Sequence, residues 1–237
     1  MIKIVVCSFL FILNVYAQTI YATFDVVALK SANVAFTSGG IVDKLYVEIG
    51  EQVKKDDTLA TLQNDDIEAL LNIHTTTLQY AKKDYDRQVQ IKKIIDKQKF
   101  DSYEQVYKSA QAQVKYQKAL LDKTILKAPF DAVVISKELE IGDVVSGQMI
   151  KTVFQLQSIH ERKLILQFDQ KYHNDVNVGD IFTYKIDGDT KEYQGIISKI
   201  YPFADIKTRK VKAEVITNDI MVGLFGDGYI TAKSKVE

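Results

Sequence analysis

Apolar side chains between Asn64 and Leu121 recur at spacings of three and four residues, the period of helices that pair along one face. Residues 51–128 contain neither Gly nor Pro, the two residues that most often interrupt a helix. The pairing positions are Ile67, Leu71, His74, Leu78, Ala81, Tyr85 and Ile95 in the first run, and Phe100, Tyr103, Tyr107, Ala110, Val114, Gln117 and Leu121 in the second. The pattern predicts an α-helical coiled-coil hairpin over residues 64–124. One long solvated helix, or a hairpin that packs only on its own chain, fits the same period.

The start and the turn of this hairpin are also marked in the sequence. Asn64 precedes three acidic residues within the next four positions, which predicts a capped helix start where the helix dipole favours negative charge. The polar run 96–99 interrupts the apolar spacing and predicts the turn. The first helix is expected to end near Ile95, and the second is expected to begin near Phe100.

A short motif occurs twice, once on each side of the hairpin. Glu48-Ile49-Gly50 and Glu140-Ile141-Gly142 lie 92 residues apart. Each copy combines a strand of alternating apolar residues, a turn made of Gly and an acidic residue, and a second strand. The repeat predicts that residues 35–63 and 125–158 are the two halves of one small β-sandwich.

The last third of the chain predicts further strands. They are expected at Arg162–Gln167, Ile181–Ile186, Tyr193–Ile200, Lys210–Ile216 and Gly228–Ala232. Asp187-Gly188-Asp189 is a hairpin turn signal, favoured over a calcium loop because no closing Glu follows at the required spacing. Short strands at close spacing predict a small β-barrel over residues 159–237, and residues 18–34 are predicted as a strand region that packs with it.

The N-terminal residues have the pattern of an export signal. Lys3 is followed by an apolar run from Ile4 to Leu13, and Val15 and Ala17 place small residues before a cleavage site. The run is shorter than the roughly 20 residues of a membrane span. We therefore predict a signal peptide over residues 1–17 and a soluble exported chain. A retained N-terminal anchor is the alternative.

Composition excludes several classes of function. The 237 residues include 31 cationic and 31 acidic side chains, and this balance argues against nucleic-acid binding. One Cys and three His are too few for a disulfide framework, a zinc finger or an iron–sulfur site. His74, His160 and His173 have no Ser or Cys motif near them. We therefore expect no enzymatic activity, no cofactor and no metal site.

The second half opens with the phrase Leu126-Lys127-Ala128-Pro129-Phe130-Asp131. Together with the repeat and the helical insertion, this phrase resembles a lipoyl (biotinyl-like) domain cut in two by an α-helical hairpin. The order of parts resembles the periplasmic adaptor proteins, or membrane fusion proteins, of tripartite efflux pumps. Residues 201–209 are similar to the β-barrel domain of that family. The fold class implied is mainly β: a split lipoyl-like sandwich, a small β-barrel and a coiled-coil hairpin.

The resemblance also implies a function. The expected protein is a non-catalytic periplasmic adaptor, peripheral to the membrane, that forms a homo-oligomeric conduit for the export of drugs or toxic compounds. Its expected partners are an inner-membrane efflux transporter, with the resistance-nodulation-division type favoured, and an outer-membrane channel. The alternatives are the adaptor of an ATP-driven exporter or type 1 secretion system, and a lipoyl or biotinyl carrier protein. Many relatives carry a membrane-proximal domain, which this chain either lacks or keeps as a vestige in residues 18–34.

The resemblance places the partner-binding residues at the hairpin tip. In the family, an Arg, a Leu four positions on and a Ser seven further often contact the channel. That spacing falls on Gln90, Ile94 and Asp101 here, with Ser102 adjacent to the last position. Ile94 and Phe100 are apolar at the end of the hairpin, which suggests that a partner covers them. These five residues are the predicted docking site.

Overall fold

The computed structural model describes residues 19–149 and 151–232, so the predicted signal peptide lies outside the described residues. In chain order, the strands and helices are β1 Thr19–Ala28, β2 Ser31–Val34, β3 Gly40–Leu45, β4 Gln52–Val53, β5 Thr58–Leu62, α1 Asp65–Gln90, α2 Lys97–Asp122, β6 Ile125–Lys127, β7 Ala132–Lys137, β8 Val144–Val145, β9 Phe154–Ser158, β10 Glu161–Asp169, β11 Ile181–Ile186, β12 Tyr193–Ala204, β13 Lys210–Asn218 and β14 Phe225–Thr231. They form two compact units: residues 31–159, and residues 19–30 together with 160–232.

The second unit is a closed antiparallel barrel with the strand order β1-β10-β13-β12-β11-β14. Alternate residues of β1 point inward, and Phe24 packs edge-to-face on Phe182 and Tyr184 in the barrel core. The sequence assigned residues 18–34 to this barrel. That boundary is wrong, because β2 pairs with β9 in the other unit and β1 ends at Ala28.

Two glycines let β14 lie close to its neighbours. A Cβ atom on Gly226 would stand 2.1 Å from the carbonyl oxygen of Lys185 and 2.7 Å from the Phe24 ring. A Cβ on Gly228 would stand 2.3 Å from the carbonyl oxygen of Thr183. Neither backbone oxygen can move without breaking the β11–β14 pairing. The spacing of strands at this point therefore depends on Gly.

Gly226→Ala is expected to lower the free energy of unfolding by about 2–3 kcal/mol, because the added methyl group overpacks the closure of the barrel. The measurement is urea denaturation of the purified chain. Asp227→Ala, at the exposed position between the two glycines, is the matched control and should change stability by less than about 0.5 kcal/mol. Equal stability of the two variants would contradict the close contact between β14 and β11 at Gly226.

The first unit contains a sandwich of two four-stranded sheets, with the orders β2-β9-β7-β4 and β6-β5-β3-β8. Each sheet mixes strands from before and after the helices. β4 pairs with β7 in one sheet, and β3 pairs with β8 in the other. Val42 and Val134, one from each half, are both buried in the same core. The predicted joining of the two half-motifs is confirmed.

The repeated motif forms two equivalent turns. Gly50 has a φ of 89° and Gly142 a φ of 91°, a region that favours glycine. The N–H of Gly50 donates to the carbonyl oxygen of Val134 at 2.8 Å, and the N–H of Gly142 donates to that of Val42 at 3.0 Å. Each half therefore hydrogen-bonds through its turn to an inner strand of the other half, which explains why glycine recurs at this position.

The two helices follow the predicted order, but the turn lies elsewhere. α1 ends at Gln90 and α2 begins at Lys97, so the connection is residues 91–96 and not 96–99. The Asp96 carboxylate accepts a hydrogen bond from the Lys99 N–H at 3.1 Å, and a residue that caps a helix must precede it. In the described part of the chain, neither helix has the length and hydropathy that a membrane span requires.

Asn64 stands before α1, as predicted, but its side chain makes no cap hydrogen bond. Its amide instead donates to the Thr124 hydroxyl at 3.1 Å. The Thr124 hydroxyl donates in turn to the carbonyl oxygen of Leu121 at 2.7 Å. This arrangement ties the start of α1 to the end of α2, where both helices meet the sandwich strands.

Candidate functional site

The helices pack through the side chains whose spacing predicted a paired face. Every predicted pairing position is buried or half-buried, and Gln117 is one of the fully buried residues. Its amide donates to the carbonyl oxygen of Ile67 at 3.3 Å across the pair, which satisfies a polar group in an otherwise apolar contact. The pairing therefore holds α1 against α2 and carries residues 91–96 to the far end of the hairpin.

We define the hairpin tip as residues 89–96, the end of α1 and the connection. Ile94 is 84% exposed there, and Val89 and Ile91 are more than two-fifths exposed. Three large apolar side chains are thus open to solvent within six residues. Exposed apolar residues this close in the chain make the tip a candidate contact surface.

Phe100 is placed differently from its predicted role. It is buried against α1, with its ring 5.7 Å from that of Tyr85, which also stacks on Tyr107 at 5.2 Å. The ammonium group of Lys92 lies 4.6 Å from the centre of the Phe100 ring. The expectation that Phe100 is a partner-binding residue at the tip is wrong, because its ring occupies the pairing position that the three-and-four spacing also assigned to it.

The remaining predicted residues lie on three different elements. Gln90 is the last residue of α1, Ile94 is in the connection, and Asp101 and Ser102 are in the first turns of α2. All four are exposed. Asp101 lines a shallow groove along α2, beyond the tip, together with Glu104, Gln105, Lys108 and Ser109.

Val89 and Ile91 were missed by the sequence reasoning. Both are apolar residues outside the spacing of the paired face, and this mismatch was a usable signal. It was overlooked because α1 was expected to continue to Ile95. With the helix ending at Gln90, the two residues flank the helix end.

The His, Asp and Glu side chains of the described residues are the candidates for a metal site. Within residues 19–149 and 151–232, no three His, Cys, Asp or Glu side chains are grouped to hold a metal ion. His160 contacts the Asp219 carboxylate at 2.7 Å on the barrel surface, and His173 contacts the carbonyl oxygen of Gln170 at 3.0 Å. Each of these His side chains is accounted for by a local contact.

The unit of residues 31–159 is a small sandwich of two four-stranded sheets, interrupted by two helices. The description "CzcB-like, barrel-sandwich hybrid domain" fits residues 30–157, more than half of the chain. The chain belongs to this family. The predicted resemblance to the membrane fusion proteins is thereby confirmed.

Known proteins resemble the chain in sequence and in structure. The cobalt-zinc-cadmium resistance protein CzcB of Cupriavidus metallidurans is 27% identical over 223 residues, which cover 83% of this chain and 41% of that protein. A MacA-MexA chimeric protein containing the Pseudomonas aeruginosa MexA α-hairpin domain superposes with a TM-score of 0.81 at 22% identity, covering 92% of this chain and 82% of the other. MacA from Actinobacillus actinomycetemcomitans gives a TM-score of 0.71 at 21% identity, covering 92% and 79%.

The sequence relative and the structural neighbours support different conclusions about this chain. The chain spans about two fifths of the length of CzcB, the curated relative it matches. The structural neighbours are similar in fold at low sequence identity. Together they establish the family and the architecture of this chain.

Proposed function

We propose that the chain is a non-catalytic periplasmic adaptor that links an inner-membrane efflux transporter to an outer-membrane channel. The observation that carries the proposal is the helical hairpin inserted into a split sandwich of the CzcB-like family. We infer that α1 and α2 form a coiled coil, because their contact side chains keep a three-and-four spacing over both helices. An adaptor of this kind is a structural link that holds the two membrane proteins in a fixed relative position.

The proposed channel-binding site is the hairpin tip together with Asp101 and Ser102 in the first turns of α2. Ile94 supplies exposed apolar area, and Gln90, Asp101 and Ser102 supply hydrogen-bonding groups on either side of it. An apolar centre with a polar surround is the usual composition of a protein interface. Phe100 supports the site from inside by fixing α2 against α1.

A ring of several copies is the proposed assembly, since the proposed conduit has to be enclosed by more than one subunit. The sandwich supports this, because Ile49, Ile141 and Val144 are exposed by 59%, 66% and 79%. Ile49 and Ile141 stand at equivalent places in the two repeated turns. Apolar side chains repeated at the edge of a small domain suit contacts between copies of one chain.

The proposed cargo is a toxic cation or a drug. The name of the relative CzcB, a cobalt-zinc-cadmium resistance protein, favours divalent metal ions over organic drugs. A transporter of the resistance-nodulation-division type is the favoured inner-membrane partner from the sequence resemblance. The alternative inner-membrane partner is an ATP-driven exporter. The adaptor would have the same architecture with either transporter.

A deletion of this chain tests the function. The deleted strain is expected to become sensitive to cobalt, zinc or cadmium, or to a drug, and the full-length chain supplied from a plasmid should restore growth. Affinity purification of the restored chain should recover an inner-membrane transporter and an outer-membrane channel. Unchanged growth under metals and drugs, with neither membrane protein recovered, would contradict the proposal.

A further inference from the structure

The turn between β12 and β13 carries an apolar residue in open solvent. Ile206 is 95% exposed, the highest value for a large apolar side chain in the described part of the chain. Phe203, three residues earlier, is 61% exposed. Neither side chain contributes to the barrel core. Their exposure favours contact with an apolar medium outside the chain.

This exposure is imposed by an ordered turn. The Asp205 carboxylate accepts hydrogen bonds from the N–H groups of Lys207 at 2.9 Å and Thr208 at 2.8 Å. These bonds, led by the one from Thr208, hold the pKa of Asp205 below its usual value. The N–H of Arg209 donates to the carbonyl oxygen of Asp205 at 2.7 Å and closes the turn. The backbone therefore holds Ile206 on the outside.

Phe203 is held outward by a bulge. Tyr201–Phe203 of β12 lie opposite the single residue Lys212 of β13. Pro202 within the bulge has no N–H to donate to the ladder, which accounts for the irregularity. The Tyr201 hydroxyl donates to the Glu214 carboxylate at 2.6 Å, and the Phe203 ring packs edge-to-face on Tyr201 at 5.9 Å. Phe203 and Ile206 are thus both exposed within four residues of the end of the β12–β13 hairpin.

The stretch of chain that carries these two side chains is rich in cations. The chain as a whole has equal numbers of cationic and acidic residues, but residues 199–212 contain five cations and one acid. The cations are Lys199, Lys207, Arg209, Lys210 and Lys212. Within residues 19–149 and 151–232, none of the five forms a salt bridge within 4.0 Å. Lys171 and Phe203 both line a cleft of about 620 Å³, which places a sixth cation near Phe203.

We propose that this turn binds an anionic lipid bilayer, with Phe203 and Ile206 in the interfacial region and the surrounding Lys and Arg against lipid phosphates. Interfacial binding combines a shallow apolar insertion of about 5–10 Å with cations that attract anionic lipids. A stable protein interface buries about 800 Å² on each partner, far more than two side chains at a hairpin end provide. The observations therefore favour a bilayer over a protein surface.

The test is flotation of the purified full-length chain with vesicles of phosphatidylcholine and phosphatidylglycerol, and with vesicles of phosphatidylcholine alone. We expect binding to the anionic vesicles and weak binding to the neutral ones. Raising the salt from about 0.1 M to about 1 M shortens the Debye length from about 10 Å to about 3 Å and should release the chain. Because no transporter or channel is present, the result is independent of the proposed export function.

Variants locate the contact. Ile206→Ser is expected to weaken binding to anionic vesicles about tenfold, through the loss of apolar burial. The double variant Lys207→Ala, Arg209→Ala is expected to weaken it about 30-fold, because each cation near the surface contributes to binding. Met221→Ser, at a 74% exposed apolar position in the β13–β14 turn, is the matched control and should bind as the parent chain does. Unchanged melting temperatures exclude unfolding as the cause.

Three results would overturn the proposal: no binding to anionic vesicles, equal binding to neutral vesicles, or an Ile206→Ser variant that binds as well as the parent chain. The parent chain could fail to bind vesicles while Ile206→Ser abolishes export in cells. In that case the turn contacts a protein, and the lipid assignment is wrong.

Discussion

Ile94→Asp is expected to abolish efflux-dependent growth while leaving the fold intact. Ile94 is 84% exposed in the connection between the helices, so a charged side chain there should change the free energy of unfolding by less than about 0.5 kcal/mol. The same charge in the centre of a protein interface lacks a partner and costs several kcal/mol of binding. Growth under metal or drug stress, thermal unfolding and the amount of exported chain are the measurements.

Two control variants make this result specific. Ile73→Asp changes another exposed apolar residue, 60% exposed on α1 away from the tip, and should leave growth unchanged. Phe100→Ala removes a buried ring and is expected to cost about 3 kcal/mol of stability. If Ile94→Asp supports normal growth, the tip is a spacer. If it loses activity only by unfolding, the docking surface lies elsewhere.

Val134→Asp is expected to unfold the sandwich. The side chain is fully buried in the core that both half-motifs build, and its backbone bonds the first repeated turn through Gly50 and Glu51. An unpaired carboxylate in that core should cost about 4 kcal/mol or more, a large part of the stability of a small domain. Circular dichroism during urea denaturation measures the effect.

Ile135→Asp is the matched control for Val134→Asp. It adds the same charge one residue later, on the opposite face of β7, where the side chain is 40% exposed. It should unfold close to the parent chain. Equal destabilisation by the two variants would contradict the shared core of the two halves.

Local patterns predicted much of this structure. β11 has the predicted bounds Ile181–Ile186. This prediction was possible because alternating apolar residues between two turn signals are typical of a strand. The three-residue repeat located two equivalent turns, since glycine is required where φ is positive. The paired face of the helices was recognised from spacing alone.

The errors arose where distant parts of the chain decide the outcome. Phe100 fits both a pairing position and a tip contact in the sequence, and its contact with Tyr85 on the other helix decides for the pairing position. The assignment of Ser31–Val34 depended on its pairing with β9, more than 100 residues away. The exposed position of Ile206 follows from the turn that Asp205 closes, which periodicity cannot predict.

The most direct test of the adaptor assignment is photo-cross-linking in living cells from a photoreactive residue placed at Ile94. The proposed function predicts a covalent adduct with an outer-membrane channel, identified by mass spectrometry, and no such adduct from the same residue placed at Ile73. An adduct of equal yield from both positions, or none from position 94 in a chain that still supports export, would contradict docking through the hairpin tip.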